Sequence, residues 1–293
     1  MQPDAVVAIA RAQPEPGPRW RLWWRGLRVR DWAHFALLPL ASAPLGGLDA
    51  TTLAALARGV AVAVLVLAYG YLLNGLSDRQ LDADATKNPF KHAAPRALET
   101  LLVVALAVAA LGLSAHGGRV PVLATTTSVA AGWLYSAGPR LKRLPLVGTL
   151  LNVACFAPLL LVGVVGGQLP TALPLLLCAF VGLLLENQLL HEAADAPEDA
   201  AGRVNTTFLA LGARGAALLA ALVGALPVVA LALAWPTPFG LLLAATMAVV
   251  FAVVVPRTLA LHGKDARRMS RIRLLHRGAG LALGALLFFV ANR

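Results

Sequence analysis

Asn74-Gly-Leu-Ser-Asp78-Arg-Gln-Leu-Asp82 closes an apolar run, where bare charge is costly. Its Asn and two Asp are each four residues apart, so on a helix they stack along one face, with neighbouring carboxylates about 5–6 Å apart. Two such carboxylates repel unless positive charge lies between them. A divalent cation meets that need: Mg²⁺ takes oxygen ligands octahedrally, uses one or two carboxylates, and completes its shell with water and substrate phosphate. A second stretch, His191-Glu192-Ala-Ala-Asp195-Ala-Pro-Glu-Asp199, again sets two aspartates four apart after an apolar run, with Glu192 a turn before Asp195. Solvated helix ends would explain either stretch alone. Two matching ones among only 14 acidic residues favour a metal reading, with Asp78, Asp82, Asp195 and Asp199 as ligands and Asn74 and Glu192 as helpers.

The surrounding composition sets the class. At 59% hydrophobic residues, 13% charged and a mean hydropathy of +0.74, the chain departs from soluble domains, where about a quarter of residues are charged. Apolar stretches near 32–48, 52–75, 95–115, 119–136, 146–166, 170–193, 207–234, 238–256 and 271–291 meet the length needed to cross a bilayer. The expected fold is an all-α polytopic membrane bundle of about nine helices. Residues 32–293 would form the transmembrane domain and 1–31 a tail with an interfacial basic and Trp-rich segment. Four prolines in residues 1–19 and the lack of a long apolar centre argue against a cleavable signal there.

The net charge of +11 follows alternate loops rather than a patch, which argues against nucleic acid as a partner. Arginines 19, 21, 25, 28 and 30 precede the first span; further cations follow the second, fourth, sixth and eighth, while the loops around Gly166–Pro170 and Trp235–Pro238 are bare. By the positive-inside rule the N-terminus is cytoplasmic, and both acidic stretches face the cytoplasm. Trp20, Trp23 and Trp24, interleaved with arginines, suit a helix lying on the anionic leaflet. Trp32, at the head of a span, is expected to anchor at the interface, and Pro39 to kink the first span. Cys155 and Cys178 lie in apolar spans and read as small core thiols.

Polar loops add candidates. After Asp82, Lys87 and Lys91 can hold an anion beside the metal or merely orient the loop, and Asn88-Pro89 disfavours helix. The fourth span ends in Tyr135-Ser-Ala-Gly138-Pro139-Arg140-Leu-Lys142-Arg143, where three cations follow a helix stop beside a tyrosine hydroxyl. A diphosphate pocket explains this better than topogenic charge alone, and its contacts would be Asn74, Arg79, Lys87, Tyr135, Arg140, Lys142 and Arg203. Pro197, between Asp195 and Asp199, is expected to break its helix. The last three spans are expected to be walls, and His262 and His276 to sit solvated in a basic loop.

Taken in order, Arg30-Asp-Trp32, Asn74-xxx-Asp78-xxx-Asp82, Tyr135-Ser-Ala-Gly-Pro-Arg-Leu-Lys-Arg, and Asp195-xxx-Asp199 with Gly202 and Thr206 resemble the UbiA superfamily of intramembrane prenyltransferases. The resemblance runs nearly the whole chain and implies nine helices around a central cavity. There Mg²⁺, held by both aspartate motifs, would bind the diphosphate of a polyprenyl donor whose tail leaves sideways into lipid. The prenyl group would pass to a hydrophobic acceptor. The chain departs from the pattern at Gly75, where many members carry an acidic or polar residue, at Gln188, where some have aspartate, and at His34, often lysine. Three other readings share some features: a terpene cyclase of the same superfamily, an enzyme like the polyprenyl-phosphate phosphoribosyltransferases, and a cation transporter, against which the acids' clustering at one membrane face argues.

Overall fold

The computed structural model describes residues 19–42, 49–80, 88–91, 97–164, 169, 171, 173–202 and 204–291. Among them every regular element is helical. Asp82, Lys87 and Arg203 lie outside this set, as do Pro3 and the other prolines of the tail.

Helix α1 (Arg19–Leu27) leaves Trp20 and Trp24 exposed, with the Arg21 guanidinium 5.4 Å from the Trp20 ring, and packs Leu22 and Trp23 inward. That division suits a helix lying at the bilayer surface. A short turn, α2 (Val29–Trp32), leads into a 3-10 segment, Ala33–Ser42, that contains Pro39. Trp32 is no interfacial anchor. It is 4% exposed, its indole nitrogen donates to the Leu27 carbonyl at 2.5 Å, and its ring packs in the core beside Val62, Val66 and Leu159. Donation to a backbone carbonyl satisfies the indole N–H that would otherwise have drawn it to the headgroups.

Six helices are long and apolar enough to span a membrane: α3 (Ala50–Asp78), α4 (Ala97–Ala115), α7 (Leu173–Ala201), α8 (Thr207–Ala234), the continuous run 238–262 and α11 (Ala266–Ala291). Within 238–262, α9 (Pro238–Ala248) and α10 (Val255–His262) are joined by a π-helical turn, Val249–Val254. The 3-10 segment Ala33–Ser42, α5 (Arg119–Ser136) and the run formed by α6 (Val147–Phe156) with Ala157–Leu161 complete nine helical passes among the described residues. Small residues let the passes close up. A Cβ on Gly163 would overlap the Pro39 carbonyl, and one on Gly59 would lie 2.9 Å from the Gly163 Cα, so α3, the Pro39 segment and the turn after Leu161 meet backbone to backbone. Such contacts replace the hydrophobic drive that lipid removes.

Antiparallel alternation decides where the polar motifs fall. Helices α3, α5 and α7 run the same way, so Asn74 and Asp78, the loop after Tyr135, and Asp195 with Asp199 all emerge at one end of the bundle. Pro197 does not break α7, which continues through it to Ala201. Proline removes one bond, to the Ala193 carbonyl, and the single turn beyond it stays helical, so Asp195 and Asp199 share a face.

Candidate active site

The end of α3 is a cation-lined corner. Asp78, 5% exposed, accepts from Arg140 Nη2 at Oδ1 (2.5 Å) and from Lys142 Nζ at Oδ2. Arg140 Nη1 also donates to the Ser77 carbonyl at 3.0 Å, and Lys142 Nζ to the Asn74 side-chain oxygen at 3.1 Å, which Ser136 Oγ reaches at the same distance. Lys142 Nζ sits 5.8 Å from the Tyr135 ring centre. Arg140 can reach back this way because its backbone is left-handed (φ 53°). That conformation costs about 1–2 kcal/mol in a residue with a Cβ, and the two charge-assisted bonds from its guanidinium to α3 offset it. The strained residue is the one that aims a cation at the motif.

A second loop holds this corner from behind. Asn88 donates to the Gly75 carbonyl at 2.8 Å and accepts from Phe90 N at 3.0 Å, and Phe90 is wholly buried between α1 and α3. A Cβ at Gly75 would stand 3.2 Å from the Phe90 ring, tighter than ordinary contact. The glycine in place of the more usual acidic or polar residue therefore has a packing reason.

Asp195 and Asp199 are half-buried on α7, with His191 Nδ1 3.1 Å from Asp195 Oδ2. Glu192, by contrast, is 6% exposed, and protein donors already occupy both its oxygens. Thr149 Oγ1 (2.8 Å) and Gln188 Nε2 (3.2 Å) donate to Oε1, and Phe208 N (2.9 Å) donates to Oε2. In this arrangement it ties helices together rather than facing a metal. Arg79 caps α3 but turns away from Asn74: with Arg140 and Glu99 it lines a separate hollow of about 410 Å³ beside α4.

Inward from the corner lies a cavity of about 200 Å³. Asn74, Tyr135 and Ser136 line it from the motif helices; Val66, Leu67, Tyr69 and Phe156 make it apolar; Arg28, Asp31, His191, Arg273 and Arg277 add charged and titratable groups to its lining. Cys155 lines it as well, as an unpaired thiol. The final span is thus no plain wall. Its polar first turns belong to the helix and not to a loop, so Arg273 and Arg277 are carried into the bundle. His276 is 3% exposed and lies 2.9 Å from Glu186 rather than being solvated. Two arginines four apart inside a span were the available signal, because intramembrane charge faces the bundle interior or water.

The donor set at the corner is made of hard oxygens. Among the described residues no three His, Cys, Asp or Glu side chains cluster closely enough to cage a metal unaided. Few protein carboxylates with neighbouring cations suit an ion that shares its shell with phosphate and water, as Mg²⁺ does.

With this geometry the comparisons agree. The model of the UbiA prenyltransferase family matches residues 33–289, and the chain belongs to that family. Its fold matches a solved digeranylgeranylglyceryl phosphate synthase at TM-score 0.73 and 16% identity, over 94% of this chain and 98% of that one. A UbiA homolog from Archaeoglobus fulgidus bound to GPP and Mg²⁺ matches at TM-score 0.67 and 17% identity, over 90% and 99%. One from Aeropyrum pernix K1 matches at TM-score 0.60 and 17% identity, over 90% and 98%. Comparison with curated protein sequences gives no match.

Proposed function

We propose that this chain transfers a prenyl group from a polyprenyl diphosphate to a hydrophobic acceptor within the membrane, with Mg²⁺ bound at the aspartate motifs. The observation that carries the reading is the corner itself: a buried aspartate and an asparagine oxygen gripped by Arg140 and Lys142, on the rim of an apolar cavity. The Archaeoglobus fulgidus homolog of the same fold binds GPP or DMAPP with Mg²⁺, and the family assignment supports the same chemistry here.

Asp78 and Asp195, with Asp82 and Asp199, would hold the metal, which supplies positive charge to the departing diphosphate. Arg140 and Lys142 stabilise the same developing charge from fixed positions in a water-poor site, where such interactions are strongest. Tyr135 bounds the allylic end of the donor. The cavity's Val66, Leu67 and Phe156 exclude the water that would otherwise capture the carbocation. Lys87 and Arg203 remain proposed diphosphate contacts on sequence alone. Arg79 joins them on the same ground, although its side chain lines the separate hollow beside α4.

The test is purified full-length protein in nanodiscs with Mg²⁺, labelled prenyl diphosphates of several lengths and a membrane lipid extract. A labelled hydrophobic product that requires the extract is expected. Product without any acceptor would mean cyclase chemistry, competition by a sugar diphosphate would mean a phosphoribosyl donor, and no product in any arm would overturn the reading.

We also place the N-terminus and the corner on the cytoplasmic side of the cell inner membrane, from the loop charges. In a cysteine-free background, Pro236→Cys should react with an impermeant thiol reagent added to intact cells and Lys264→Cys should not. The reverse labelling pattern would invert the topology.

A further inference from the structure

The corner and the cavity hold two sets of cations with different employment. Arg140 and Lys142 are paired with Asp78 and do not line the cavity. Of the three arginines that do, Arg28 is engaged by Asp31 at 2.6 Å and stacks over Tyr71. The other two, Arg273 and Arg277, have no carboxylate partner among the described residues. Arg277 Nε donates to the neutral Asn187 side chain at 3.2 Å, and Arg273 Nε is buried with no hydrogen-bond partner. Tyr71, Asp195 and Asp31 give Arg273 only longer-range attraction.

These two side chains are four residues apart and so share one face of α11. That helix packs against α7, α8 and α10, so the arginines reach the cavity from the α7 side and not from α3 or α5. Two guanidiniums inside a membrane bundle, one with an unmet donor, are expensive unless an anion meets them. A guanidinium fork fits the paired oxygens of a carboxylate or phosphate. In the prenyl-transfer reading the diphosphate has its own cations, Arg140 and Lys142, at the corner.

We propose that Arg273 and Arg277 form an anion subsite for the acceptor, which therefore carries a carboxylate or phosphate monoester group. The apolar wall beside them takes the rest of the molecule. This assignment rests on the prenyl-transfer reading above and adds the acceptor's chemical class to it.

The experiment measures binding to the full-length protein in phosphatidylcholine nanodiscs, using matched probes: dodecyl phosphate against dodecanol, and 4-butylbenzoate against 4-butylbenzyl alcohol. The anionic member of at least one pair should bind about tenfold or more tightly than its neutral partner, the scale of one charged hydrogen bond. Which pair shows the preference separates phosphate from carboxylate. Arg277→Gln should erase the preference, Arg277→Lys should restore part of it, and geranyl diphosphate with Mg²⁺ should bind as tightly as to the unaltered protein. Arg273→Gln should act likewise, and the Arg277 variants keep the test open where Arg273→Gln fails to fold. No preference in the unaltered protein, or one that survives Arg277→Gln, would overturn the subsite. A matching loss of geranyl diphosphate binding in Arg277→Gln would hand the arginines to the donor. Failure of the unaltered protein to bind geranyl diphosphate would instead count against the prenyl-transfer reading.

Discussion

Asp78→Asn and Asp195→Asn are each expected to lower Mg²⁺-dependent product formation by at least about 10²-fold, the scale set by removing one group that stabilises transition-state charge. An amide keeps the size of the carboxylate and loses the charge that attracts the cation. The double variant should be scarcely worse than either single one, because residues that act as one unit are strongly non-additive. Their structural costs should differ. Asp78 is buried and neutralises Arg140 and Lys142, so its loss strands two cations and lowers thermal stability by about 1–3 kcal/mol. Asp195 is half-exposed beside His191 and should change stability little. Turnover against Mg²⁺ concentration, read beside a melting curve for all three variants, separates the two effects. Losses that multiply in the double variant would mean that the two acidic stretches serve separate ends.

The parts legible in the sequence were those written as local periodicity. Apolar runs of membrane length mark the spans, and four-residue spacing at Asn74 and Asp78 marks a helix face, because both depend only on neighbours along the chain. The meeting of Asp78 with Lys142 across 64 positions was legible only as complementary charge: acids after one span and cations after another that ends on the same side. What escaped was set by packing. Trp32 carries the same side chain whether it faces headgroups or a backbone carbonyl, and only the approach of Leu27 decides between them. Pro197 looked like a breaker because local rules weigh one lost bond against a free chain, whereas here it falls one turn before the end of a packed helix. Arg273 and Arg277 fall inside the ninth apolar stretch, 271–291, yet the positive-inside rule counts them with the basic loop before it, and so reads as topogenic two residues that the helix carries into the bundle. Glu192 was drawn toward the metal by proximity to Asp195, and its partners on two other helices had no local trace.

Those partners make the second large effect. Leu146 N donates to Thr207 Oγ1 at 2.7 Å, and the two hydroxyls of Thr207 and Thr149 lie 2.6 Å apart. Each hydroxyl has one proton, and Thr149 gives its own to Glu192. Thr207 must therefore donate to Thr149, and the chain of bonds runs in one direction, from Leu146 N–H through both hydroxyls to the Glu192 carboxylate. With Gln188 and the Phe208 N–H added, three donors converge on an acceptor-only group that joins the starts of α6 and α8 to the end of α7, beside Asp195. Glu192→Gln turns one acceptor edge into a donor facing donors. A loss of about 1–3 kcal/mol is expected from the unmet group, with a larger loss for Glu192→Ala, where all three donors are orphaned. The loss should appear in melting curves recorded in EDTA, because it does not depend on metal. Thr149→Val, which breaks the same chain one link away, should reproduce part of it. If Glu192→Gln instead melts like the unaltered protein in EDTA and loses only its response to Mg²⁺, the carboxylate belongs with Asp195 and Asp199 as a ligand, and the bonds drawn to it here would have to open in the working enzyme.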